Sequence, residues 1–120
     1  MLLIWIDQVT AFAAGDETLL KEVLHPKNER LDLPYSLAHA SLEPGERSLS
    51  HRLQSSTEVY VVLEGRGRVT CDGERQEVTP GAVVLIPPGA EQHVLNTGKT
   101  TLRFLCIVSP PWSEEDEVVD

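Results

Sequence analysis

The sequence predicts an all-β protein, a sandwich or barrel built from short antiparallel strands. Turn signals recur roughly every eight to twelve residues, the spacing of such folds. The runs between them alternate apolar and polar residues or are rich in β-branched types. No segment carries a convincing helical period.

Taken in order, Leu2 to Ile6 is apolar and reads as a first, edge strand. Val9 to Gly15 has no clean period and is left irregular. Thr18 to Leu24 alternates weakly and is assigned as a strand, ended by the breaker cluster His25-Pro26-Lys27-Asn28. Tyr35 to Leu42 is the next strand, stopped by the turn Glu43-Pro44-Gly45. A strand then ends at His51, and a polar loop, Gln54-Ser55-Ser56-Thr57, leads to a strand opening at Glu58. Val59 to Leu63 is expected to be buried on both faces. Asp72-Gly73 is a two-residue hairpin signal between Arg68–Cys71 and Gln76–Thr79. After Pro80-Gly81 come Ala82 to Ile86, a Pro87-Pro88-Gly89 corner, and Gln92 to Leu95. The turn Asn96-Thr97-Gly98-Lys99 precedes a last strand, Thr101 to Val108. Ser109-Pro110-Pro111 ends the barrel, with Trp112 packing back on it. The predicted organisation is one domain over residues 1–112, with 113–120, SEEDEVVD, as an acidic mobile tail.

The 120 residues carry a formal net charge of −9. An acidic surface repels phosphate backbones and anionic lipid, so neither nucleic acid nor membrane is expected as a partner. The apolar start is too short for a signal peptide or a spanning helix, and a cytoplasmic location is expected. Cys71 and Cys106 both fall in strands and read as small hydrophobes rather than a disulfide.

Strand alternation organises the candidate site. His51 shares a face with Leu53, and Glu58 with Tyr60 and Val62. Gln92 shares a face with Val94 and Asn96, while His93 points the other way. An imidazole beside a carboxylate can bind a metal, serve as a base, hold a polar ligand, or simply pair with that carboxylate. Gln92 offers a donor and an acceptor at once. Tyr60 packs in the barrel, its hydroxyl able to reach the pocket. His39 lies on a strand whose inward face the sequence does not settle, and His25 reads as a solvated turn residue.

Two stretches, 45–65 and 81–96, resemble the paired motifs of the cupin superfamily. Gly45, His51, Glu58 and Gly65 stand at the first motif's positions, with Leu53 where a second histidine belongs. Gly81, Pro87, Gly89 and Asn96 match the second, with Gln92 in the histidine position. The resemblance implies a double-stranded β-helix, or jelly-roll, barrel with a small-molecule pocket beside His51, Glu58, Tyr60 and Gln92. It further implies a divalent metal (Mn, Fe, Ni or Zn) on His51, Glu58 and Gln92; His39 could replace the imidazole missing at Leu53 only if its strand turns it inward, and is otherwise a surface or core-edge residue. Two of the four ligand positions have changed, so two functions stay open. One is a small-molecule-binding module with weak or no metal. The other is a metal-dependent enzyme of dioxygenase, decarboxylase or isomerase type with an altered ligand set. Whether the chain is an enzyme is not decided by its residues. A homodimer is expected, with the apolar N-terminal segment across its interface.

Overall fold

The computed structural model describes residues 1–120 and is nearly all β. After a 3-10 turn at Ile6–Gln8 come strands β1 (Phe12–Ala13) and β2 (Leu19–Leu24), then a single helical turn α1 (Pro26–Glu29). There follow β3 (Ser36–Leu42), β4 (His51–Leu53), β5 (Thr57–Glu64), β6 (Gly67–Cys71) and β7 (Glu74–Val78). The chain ends with β8 (Val83–Ile86), β9 (Gln92–Asn96), β10 (Leu102–Ser109) and β11 (Glu117–Val119).

The strands form two antiparallel sheets, one in the order β1-β2-β3-β10-β5-β8 and the other β11-β4-β9-β6-β7. Strands distant in sequence are neighbours in space, as a jelly roll requires. Each sheet turns one face inward. In β9 burial alternates, Gln92, Val94 and Asn96 in and His93 and Leu95 out. In β5, Glu58, Tyr60 and Val62 are in, while the opposite face is only half covered, so this strand is not buried on both sides as expected. Leu102, Phe104, Cys106 and Val108 of β10 complete the inner wall. The Tyr60 and Phe104 rings meet edge to face at 5.3 Å between centroids.

Turn chemistry explains the joints. Asp72 and Gly73 both take positive φ, 48° and 82°, the conformation of a two-residue hairpin between β6 and β7. Gly65 has φ 87° and leaves no room for a side chain, since a Cβ there would lie 2.7 Å from the Thr101 carbonyl oxygen. Asn96, the last residue of the second motif, is structural. Its amide nitrogen donates to the carbonyls of Leu42 and Thr100 at 2.8 and 2.9 Å, and its oxygen accepts from Gly98 N–H at 2.9 Å.

Three further sequence expectations are corrected. Leu2 to Ile6 is not a strand, and the chain enters no sheet before Phe12. The central histidine opens β4 rather than closing a strand. The acidic segment 113–120 does not stay apart from the barrel. Its residues Glu117, Val118 and Val119 pair with Leu53, Arg52 and His51, so β11 closes the edge of the second sheet. Asp116 fastens the crossing by accepting from the Ser55 and Ser56 N–H groups at 2.8 and 3.1 Å. Although its partial burial works the other way, these bonds hold its carboxyl below the ordinary carboxylate range. No helix is long and apolar enough to cross a membrane.

Candidate functional site: the barrel pocket

A cavity of about 110 Å³ opens between the sheets, lined by 23 residues of which 13 are hydrophobic. That balance suits an organic occupant held by a few polar groups. β4 and β5 supply the polar centre. His51 at the head of β4 is 4% exposed. Its Nδ1–H donates to the Leu49 carbonyl at 3.0 Å, and Asp16 Oδ2 lies 3.7 Å from the same nitrogen. On the other side Nε2 stands 4.0 Å from Glu58 Oε1, an ion-pair distance longer than a hydrogen bond. Burial by itself would lower the imidazole's pKa, but Glu58, the Leu49 carbonyl and Asp16 outweigh it and raise it from 6.5 to about 9. His51 is therefore an imidazolium at neutral pH, set between two carboxylates.

Tyr60 follows Glu58 by one strand period and lines the same cavity. Its hydroxyl donates to Gln92 Oε1. Burial first, and the nearby Glu58 carboxylate second, push its pKa well above the usual value, so it stays a donor. Gln92, 1% exposed, sits behind this hydroxyl and is not part of the cavity wall. Its register is the one the second motif requires, directly across β4–β9 from His51.

Four residues fall differently from the sequence reading. His39 is buried but lies outside the cavity lining, beside Arg103 and Lys21, so it replaces no imidazole in the pocket. Burial and the nearby Arg103 and Lys21 lower its pKa. His25 is buried and lines the cavity instead of lying solvated in a turn. Its Nδ1 accepts from Lys27 N–H at 3.1 Å, capping α1, which leaves Nε2–H to donate to the Trp112 carbonyl at 2.8 Å. Asp16 was missed, because an Asp in the irregular stretch before β2 carries no local mark of a site. Glu117 was missed as part of a segment read as a solvated tail. His93 lies outside the pocket, within 3.4 Å of Ser50 Oγ.

A divalent ion would need the His51, Glu58 and Gln92 donors to converge. His51 Nδ1 is bonded to a carbonyl, its Nε2 stands 4.0 Å from Glu58 Oε1, and the Gln92 oxygen is turned to the Tyr60 hydroxyl outside the cavity wall. Leu53 fills the fourth position with a buried methyl surface. No three His, Cys, Asp or Glu side chains gather as a metal-holding group. This donor set does not fit a tightly held first-row metal.

Two sheets closing on such a pocket form a small jelly-roll β-barrel. The profile described as cupin domain matches residues 38–108, and the chain belongs to that family. An uncharacterized protein of Methanocaldococcus jannaschii is 37% identical over 110 residues, spanning 92% of this chain and 87% of its own length. The oxalate-binding protein of Thermotoga maritima is 31% identical over 90 residues, 75% of this chain and 69% of that one. A putative mannose-1-phosphate guanylyltransferase of Vibrio cholerae is 31% identical over 85 residues, but the chain spans 18% of its length. Among solved structures, a predicted oxalate decarboxylase of Thermotoga maritima shares the fold with a TM-score of 0.80 at 21% identity, covering 90% of this chain and 98% of that one. The Streptomyces nucleoside dehydratase Pac13 does so with a TM-score of 0.80 at 17% identity, covering 100% and 91%.

Proposed function

We propose that this cupin binds a small organic molecule in its barrel pocket and works without a tightly held metal. The observation that carries the reading is the apolar cavity entered by the charged His51–Glu58 pair and the Tyr60 hydroxyl, with the remaining donors already engaged. Cavities of this make-up orient a ligand through few polar contacts and gain affinity from apolar contact. Oxalate, the ligand in the name of the Thermotoga maritima relative, is a poor match, because its two negative charges would meet Asp16 and Glu58 with no metal to bridge them.

The test is a nuclear magnetic resonance screen of small organic fragments against untagged protein in the presence of a chelator. Binders should shift resonances of Tyr60, Phe104 and Leu53. A protein that binds fragments only after a divalent ion is added would overturn the reading.

A second reading, a metal-independent enzyme, is supported by the charge on His51. An imidazolium facing a cavity, held there by a carboxylate on each side, is equipped to act as a general acid on a bound substrate. The nucleoside dehydratase with the same barrel shows that such folds accommodate enzymes, while its identity of 17% carries no residue role over. The metal-dependent alternative has less support, since the ligand set is incomplete.

A further inference from the structure

The charges lining the cavity are unequal. Asp16, Glu22, Glu58 and Glu117 all reach its wall, no lysine or arginine does, and His51 is the basic group among them that carries charge. Three of the four carboxylates already have donors. Asp16 accepts from Thr18 N–H at 3.1 Å, Glu22 from the Asn28 amide at 2.6 Å, and Glu117 from the Trp112 indole N–H at 2.5 Å.

Glu58 differs. It is 7% exposed, it lines the cavity, and its protein neighbours serve it weakly: His51 stands at ion-pair distance, the Tyr60 hydroxyl is turned to Gln92, and the Cys106 thiol is a poor donor. Its nearest cation, His51 Nε2, is 4.0 Å away and is shared with Asp16 on the opposite edge of the ring. A largely buried carboxylate held only by weak or distant donors is costly. Two carboxylates around one imidazolium also leave a negative charge in excess, in surroundings where it is weakly screened.

We propose that the occupant of this pocket is a small amine bound as its ammonium ion, the nitrogen donating to Glu58 and the carbon body lying against Leu53, Phe104 and Val108. The proposal rests on the reading of the cavity as a small-molecule site and names the class it selects. An ammonium brings three donors and no acceptor, which gives Glu58 stronger, charge-assisted hydrogen bonds than its protein neighbours do. It also offsets the excess charge, whereas a carboxylate or phosphate would add to it. A neutral alcohol could donate one bond but would leave the charge in place.

Calorimetric titration of untagged, metal-free protein at neutral pH with n-butylamine, 1-butanol, butyrate and oxalate tests this. The amine should bind at least about tenfold more tightly than the alcohol, with butyrate and oxalate weaker still. In Glu58→Gln the ratio of amine to alcohol affinity should collapse towards one, while Glu74→Gln, an exposed residue of β7 away from the cavity, should keep it. If Glu58→Gln does not fold, the ranking of the four probes on the parent protein decides. Butyrate or oxalate binding as tightly as the amine, or an undiminished amine preference in Glu58→Gln, overturns the proposal and leaves the small-molecule reading standing. No binding of any probe also overturns it, and a silent fragment screen would then remove the broader reading too.

Discussion

The Tyr60 hydroxyl donates to Gln92 Oε1 across the inside of the barrel, joining β5 of one sheet to β9 of the other. The bond turns the Gln92 oxygen towards Tyr60, and it holds the phenol at the cavity wall.

Tyr60→Phe removes that donor and leaves a buried amide oxygen unmatched. Loss of about 1–3 kcal/mol in urea unfolding is expected, the penalty of an unsatisfied buried acceptor. An unchanged midpoint would mean that the two side chains are not bonded in solution.

Stability should also fall in mild alkali. The His51 pKa is raised in the folded protein from 6.5 to about 9, so the folded state holds the proton more tightly than the unfolded chain. The stabilisation is complete below pH 6.5, declines as pH rises, and is gone above about 9. The full shift corresponds to roughly 3 kcal/mol. Urea unfolding at a series of pH values measures it, and His51→Gln should flatten the slope over that window. A parent protein equally stable at both ends would contradict an imidazolium at this site.

Much of this site is legible in the sequence, because period two is local. The alternation that turns Gln92 inward and His93 outward needs only the order of residues in β9. The face of His39 is not legible in this way. Alternation says that it opposes Ala38 and Ala40, but only the packing of β3 against the opposite sheet decides which side is inside. His25 is buried through Trp112, 87 residues away, and Asp116 is bonded to Ser55, 61 residues away. Contacts at that separation leave no trace in local composition, so a structural histidine reads as a turn and a structural strand as a solvated tail.

Restoring the two missing imidazoles should restore metal binding. Gln92 pairs with His51 across β4–β9, and Leu53 follows His51 on the same face of β4. Leu53→His with Gln92→His therefore gathers three imidazoles and Glu58, and affinity for Zn or Ni should rise by orders of magnitude over the parent. Each single change should give a smaller gain. A folded double variant that takes up no more metal than the parent would show that these positions do not converge.

A homodimer is proposed from the exposed apolar surface. Leu2, Leu3 and Trp5 are 54, 66 and 62% exposed, and Val83 and Leu85 on the edge strand β8 are 66 and 62% exposed. An edge of this kind invites pairing with another chain. Light scattering at micromolar concentration should give twice the chain mass, and Val83→Glu with Leu85→Lys should halve it. A monomeric parent would contradict the proposal.

The measurement closest to the central claim is the metal content of the parent protein, expressed without an affinity tag, incubated with Zn, Mn, Fe and Ni in turn and then desalted. The account predicts far less than one ion per chain in every case, with fragment binding unaffected by the treatment. One ion retained per chain and lost in His51→Ala would contradict it, and would place a metal where the structure has an imidazolium paired with Glu58.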